Sequence, residues 1–360
     1  MKSKIFFALA FATIIIYACS KSGSGGDPAL PTDTSDAFKS EMLINYADNI
    51  IIPAYNDLQV KINLLETDIN SFLADPTVAT QGTLKTSFKN AYLGFQSVSV
   101  AYFGPASSTS LNASFNTFPS SISKIEMAIQ TGTYDLSSQI VSDSIQGFPA
   151  LDYLFFSGDA VTKFADAGAA NRKKYAQDII TRMKSLVGNV ISQWTASYRA
   201  SFIASLKTNV GSSIGYLVNQ FAFEMDALKG PRIGWPFGKQ SNGIVFADKC
   251  EGYYADISAA LAIANLTSLK NYYNGAAGKG IADYLVLLKK DQLNSDVLAQ
   301  FEVALNALKA IPEPMSESFT ANGAEVEAAY KEVQKLLTLI KTDVASATAV
   351  QITYMDNDGD

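Results

Sequence analysis

Apolar residues return every three or four positions along this chain, and no stretch sustains the alternation of a half-buried strand. Leu58, Ile62, Leu65, Ile69 and Phe72 follow this spacing. So do Ile179, Met183, Leu186, Val190, Trp194 and Tyr198, and again Val326, Tyr330, Val333, Leu337, Ile340 and Val344. Residues spaced in this way share one face of a helix, and such a stripe must be buried against another helix. Three long amphipathic helices, with shorter ones expected over 83–102, 120–130, 210–229, 254–266, 280–290 and 295–310, predict an all-α chain built from helix bundles.

The chain is long enough, at 360 residues, for one large domain or two smaller ones. A connection near Ser157–Gly168 suggests an N-terminal bundle over 36–160 and a C-terminal bundle over 161–350. Each half has a helix stopping at Gly-Pro, at Gly104-Pro105 and at Gly230-Pro231, which hints at internal duplication. Gly104–Pro119 and Gly230–Gly243 are expected to be irregular. Long structured loops in helical proteins are often functional.

The N-terminus reads as a leader. Lys2 and Lys4 precede an apolar run from Ile5 to Ile16 that is shorter than the roughly 20 residues a spanning helix needs. Ala18-Cys19 then resembles a bacterial lipobox, so residues 1–18 are expected to be removed and Cys19 to be lipidated. The Ser/Gly-rich stretch within 19–35 suits a flexible tether, giving a protein anchored to a membrane of the bacterial envelope, at its outer-membrane or periplasmic face. With Cys19 lipidated, Cys250 has no disulfide partner and reads as a small buried apolar residue. The last residues, 351–360, form an acidic tail. Its Asp356-Asn357-Asp358-Gly359-Asp360 resembles a calcium-loop fragment without the downstream glutamate.

Composition narrows the chemistry. Acids outnumber bases, 34 to 28, and no basic stripe appears, which argues against a nucleic-acid partner. There is no histidine, so no Ser-His-Asp triad, Cys-His pair or His-ligated zinc can be built. Carboxylates, tyrosines and backbone groups remain, and hard cations accept such oxygen ligands.

The string Gln146-Gly147-Phe148-Pro149-Ala150-Leu151-Asp152-Tyr153-Leu154 has the chemistry of a helix start, with Pro149 suited to a first-turn position and Asp152 placed to face the positive end of the helix dipole. It resembles the motif of imelysin-like proteins, also known as peptidase M75, whose pattern is Gly-x-His-x-x-Glu. Gly147 matches, Pro149 stands at the histidine position and Asp152 at the glutamate position. Ala101-Tyr102-Phe103-Gly104-Pro105, Phe118-Pro119, the segment from Glu251 to Asn265, Gly275, and Ile311-Pro312 with Phe319 follow the family's order. The resemblance implies two helical bundles related by pseudo-symmetry, a cleft between them, and a role in iron or haem uptake, with iron, another hard cation or haem as candidate ligands and uptake proteins as candidate partners. The family's name implies peptidase activity, and the missing histidine counts against that and against a His–Glu iron site. The expectation is a non-enzymatic ligand-binding lipoprotein, with a peptidase or an envelope scaffold as alternatives.

Candidate cleft residues are Gly147, Pro149, Asp152, Glu126, Arg232, Trp235, Lys239 and Glu251. Asp152 is either a metal ligand or acid/base group, or a carboxylate stabilising a helix N-terminus by about 0.3–1 kcal/mol. Glu126 is a cleft carboxylate or part of a solvated helix face, and the same alternatives apply to Glu224, Asp226 and Glu251. Arg232 and Lys239 could bind an anion or neutralise a buried carboxylate such as Asp152; otherwise they are exposed charges around a packed Trp235. Tyr46, Tyr92, Tyr102, Tyr153 and Tyr253 line a pocket or belong to the core.

Overall fold

The computed structural model describes residues 32–137 and 143–354. The leader, Cys19, the tether as far as residue 31 and the acidic run 356–360 lie outside the described residues. Among those described there is no strand, and ten helices have ten or more residues. Helix α1 (Thr32–Asn45) passes through a π turn at Tyr46–Ile51 into α2 (Ile52–Ala74). Pro53, at the start of α2, has no N–H for the preceding turn, which accounts for the local widening. After Asp75-Pro76, Thr77 caps α3 (Val78–Val98) through a reciprocal exchange with Thr80, at 3.1 and 3.2 Å. Then follow α4 (Ile122–Thr131), α5 (Gly147–Phe156), α6 (Ala170–Gln193), α7 (Ser213–Ala227), α8 (Ser258–Asn274), α9 (Asp291–Lys309) and α10 (Gly323–Thr338).

The stripes read from the sequence face inward. Leu58, Ile62, Leu65, Ile69 and Phe72 are fully buried along α2, as are Met183, Val190 and Trp194 along α6 and its continuation. Helix α2 packs on α3 and α6, α3 on α8, α8 on α9, α9 on α10, and α10 on α7. Helix α8 is therefore shared, touching α3 on one side and α9 on the other. The connection near residue 160 holds a short helix, Ala160–Ala165, and the next long helix, α6, returns to pack on α2. Packing thus crosses that expected boundary. No described helix is long and apolar enough to cross a membrane.

Two stretches expected to be irregular are partly helical. Gly104–Pro119 holds short helices at Pro105–Ser108 and Leu111–Asn116. The Gly230–Gly243 loop begins inside a π turn, Leu228–Gly234, that continues α7 through Pro231. The wide turn accommodates the missing proline N–H, and Trp235 N reaches Gly230 O at 2.8 Å. Of the tail, residues 351–354 are described. Asn219 holds them on α7, its Nδ2 donating to Gln351 O at 2.9 Å and its Oδ1 accepting from Thr353 N at 2.7 Å.

An aromatic knot joins α3 to α5. Phe148 lies parallel to Tyr92 with centroids 4.3 Å apart, and Phe88, Phe95 and Phe115 surround it at 5.8–5.9 Å. Phe148 is fully buried. Phe148→Ala is expected to lower unfolding free energy in urea by about 3–5 kcal/mol, the usual loss for a buried phenylalanine that leaves a cavity.

Candidate functional site

The start of α5 is shaped by its glycine. Gly147 has φ +73°, and a Cβ there would come within 2.3 Å of Phe115 O, so backbone closeness excludes any larger residue. Asp152 lies beyond the first turn of α5, so it does not stabilise the helix dipole as expected. Its carboxylate instead crosses to the loop before α8. Oδ2 accepts from Tyr254 N at 3.0 Å and Oδ1 from Ala255 N at 2.9 Å. Asp152 is 3 % exposed, and burial pushes its carboxyl up to about 7, against the pull of the two backbone donors. Beside it, Pro149, Lys249, Cys250 and Tyr253 help line a hollow of about 30 Å³, room for a water-sized species.

A second group of charges sits where α3, α7 and α8 meet. Arg232, on the π turn after α7, lies between Glu224 and Glu251: Nη1 is 3.3 Å from Glu224 Oε2, and Nε is 3.1 Å from Glu251 Oε2. Each glutamate is 2 % exposed and Arg232 6 %. Burial alone would lower the guanidinium's pKa; Glu251 and Glu224 more than offset this and raise it. Neutral side chains complete the shell. Gln96 and Asn116 donate to Glu251 Oε1 at 2.8 and 2.6 Å, and Asn265 and Ser99 donate to Glu224 Oε2 at 3.0 and 3.3 Å. Tyr92, from the aromatic knot, hydrogen-bonds Asn116. Above this cluster opens a cavity of about 260 Å³ whose walls include Phe95, Asn112, Phe118, Phe223, Glu224 and Arg232.

Of the candidate cleft residues, the structure brings Arg232 and Glu251 together at this cluster, and Glu224 and Tyr92, also weighed in the sequence, lie there with them. Arg232 does not neutralise Asp152. Gly147, Pro149 and Asp152 belong to the neighbouring latch. Glu126 ties α4 to its neighbours by accepting from Tyr153 Oη and Arg172 Nη2, both at 2.5 Å. Lys239 is paired with Glu327 and lies 5.2 Å from the Tyr330 ring, while Trp235 packs near Phe246 at 6.4 Å. Tyr46 and Tyr92 are core residues. Glu224, weighed in the sequence chiefly as a solvated residue, is central. Gln96 and Asn265 were missed: each is a polar residue at an inward register of its helix, and the sequence alone does not show the carboxylate it serves. Among the described residues, no group of three or more Cys, Asp or Glu is arranged to hold a metal ion.

Asp152 carries a pH signature. Its folded pKa exceeds the unfolded value of 3.8, so the folded state holds the extra proton between about 4 and 7. The stability of the wild type relative to Asp152→Asn, whose amide does not titrate, is expected to fall as pH rises through that window and to level off above it. Urea unfolding from pH 4 to 8 measures this, and a flat difference contradicts it.

Comparison with known proteins agrees with the architecture. Iron-regulated protein A of Synechococcus elongatus is 22% identical over 311 residues, covering 81% of this chain and 82% of that protein. The crystal structure of a putative iron-regulated protein A precursor from Parabacteroides distasonis superposes with a TM-score of 0.73, at 18% identity, over 89% of this chain and 97% of that one. An imelysin-like protein from Psychrobacter arcticum gives a TM-score of 0.72 at 17% identity, over 91% and 100%. At those identities the two structures establish the fold alone. The model of the imelysin family, peptidase M75, matches residues 51–343, and the chain belongs to that family.

Proposed function

We propose that this protein is a lipid-anchored, non-enzymatic binding protein of the bacterial envelope with an iron-linked role, and that its ligand occupies the cavity above Glu224 and Arg232. The observation that carries this reading is the hydrogen-bonded, almost fully buried ion cluster flooring an open cavity at the junction of α3, α7 and α8. Keeping charged groups at such a place is costly, and packing alone would be served as well by apolar residues. The iron link follows the name of the Synechococcus relative, iron-regulated protein A. The cavity, about 260 Å³, is below the ~300–1,000 Å³ of sites for drug-sized ligands, so its occupant is smaller than haem.

Non-enzymatic action is supported by the donor set. The chain has no histidine. Both Asp152 oxygens are engaged by backbone N–H groups, and Glu224 and Glu251 share one guanidinium. The anchor reading is supported by the apolar leader and the small residue before Cys19.

The test is native mass spectrometry of the protein released by mild detergent from the membranes of the cells that make it. The expected spectrum shows a diacyl or triacyl mass increment that Cys19→Ser lacks, a bound small molecule, and no cleavage when insulin is added. Release without detergent, or insulin fragments that disappear in Asp152→Ala, would overturn the anchor or the binding reading respectively.

A further inference from the structure

The floor of the cavity presents two opposite charges side by side. Glu251 is directed inward. Its Oε1 takes Gln96 and Asn116, and its Oε2 lies against Arg232 Nε. Glu224 receives Ser99, Asn265 and Arg232 Nη1 on one oxygen, Oε2. Among the described residues Arg232 Nε and Glu251 Oε2 are sealed and, although 3.1 Å apart, form no hydrogen bond, while Glu224 Oε1 and Arg232 Nη2 also carry none but are not sealed from solvent. Both residues line the cavity. Asn112, on the same wall, donates from Nδ2 to Ser99 O at 3.4 Å, while its Oδ1 is buried with no partner. Phe95, Phe118 and Phe223 supply an apolar side.

A ligand must answer all of these groups at once. A lone anion would satisfy Arg232 but would meet Glu224 Oε1 and the surplus negative charge of two carboxylates against one guanidinium. A lone cation would satisfy Glu224 and leave Arg232 Nη2 desolvated and unpaired, which is costly in a buried setting. An ammonium beside a carboxylate, on an apolar body, matches each feature. The geometry points to a free α-amino acid with an apolar or aromatic side chain as the ligand. Its ammonium has three donors, one of which answers Glu224 Oε1. Its carboxylate accepts from Arg232 Nη2, and its side chain lies against the phenylalanines, where the ammonium also gains from a nearby ring face. The small volume of the cavity suits a single amino acid and excludes a folded peptide. This inference rests on the cavity being the binding site.

Isothermal titration of the full mature protein with L-phenylalanine and L-leucine tests it, with 2-phenylethylamine and 3-phenylpropionate as probes that each lack one charge. The expected result is a dissociation constant below about 1 mM for at least one amino acid. Both single-charge probes are expected to bind about tenfold weaker or worse, as loss of a charged hydrogen bond requires. Ala113→Trp, which fills the cavity from its rim and leaves the ion cluster intact, should abolish binding. Circular dichroism checks that this variant folds. Equal binding of amine and amino acid, or amino-acid binding untouched by Ala113→Trp, overturns the proposal. If no amino acid binds while a co-purified molecule does, and Ala113→Trp displaces it, the ligand class is wrong and the cavity reading survives. Silence from every probe together with an empty native spectrum overturns both.

Discussion

Arg232 is the one cation that two buried glutamates share, and much of the molecule is arranged to make that possible. Glu224 comes from the last turns of α7, Arg232 from the π turn after it, and Glu251 from the loop before α8. Gln96 reaches in from α3, Asn265 from α8 and Asn116 from a short connecting helix. A surface ion pair would contribute little. This one is almost dry, so each charge must find a partner or destabilise the fold, and four neutral side chains, Gln96, Asn116, Asn265 and Ser99, supply further hydrogen bonds. The same network ties α3, α7 and α8 to one another through Glu224 and Glu251.

The latch at α5 shows what remains of the family pattern when its histidine is gone. Gly147 persists because the backbone of Phe115 leaves no space for a side chain. Pro149 stands where the pattern that the sequence resembles has its histidine. Asp152 holds the Tyr254–Ala255 backbone, and that loop continues from Glu251 into α8. The latch and the ion cluster are therefore mechanically linked: one carboxylate fixes the course of the loop, and the next acid upstream on that loop completes the pairing with Arg232. Gly147 and Asp152 thus fix the backbone around the start of α5 and the loop before α8.

The helical class was legible because burial repeats: Leu58 to Phe72 and Val326 to Val344 announce their inward faces without any knowledge of the partner helix. The family was legible from short strings kept in order around Gly147. Three features were not legible. Pro231 reads as a helix stop, yet a π turn absorbs it, since local widening depends on what α7 packs against. The partner of Arg232 was sought in Asp152, because sequence separation carries no information on which of several acids faces a given guanidinium. Gln96 and Asn265 sit at core positions where a polar residue looks like a flaw in the stripe, and only the assembled fold shows the carboxylates they serve.

If Arg232 holds the seam by neutralising both glutamates, removing it alone should be far worse than removing all three charges. Urea unfolding of Arg232→Leu beside the triple variant Arg232→Leu, Glu224→Gln, Glu251→Gln measures this directly. The single change is expected to cost about 3–5 kcal/mol, and the triple variant to recover most of that loss. A single variant within about 0.5 kcal/mol of the wild type, a change typical of neutral surface sites, would contradict the account.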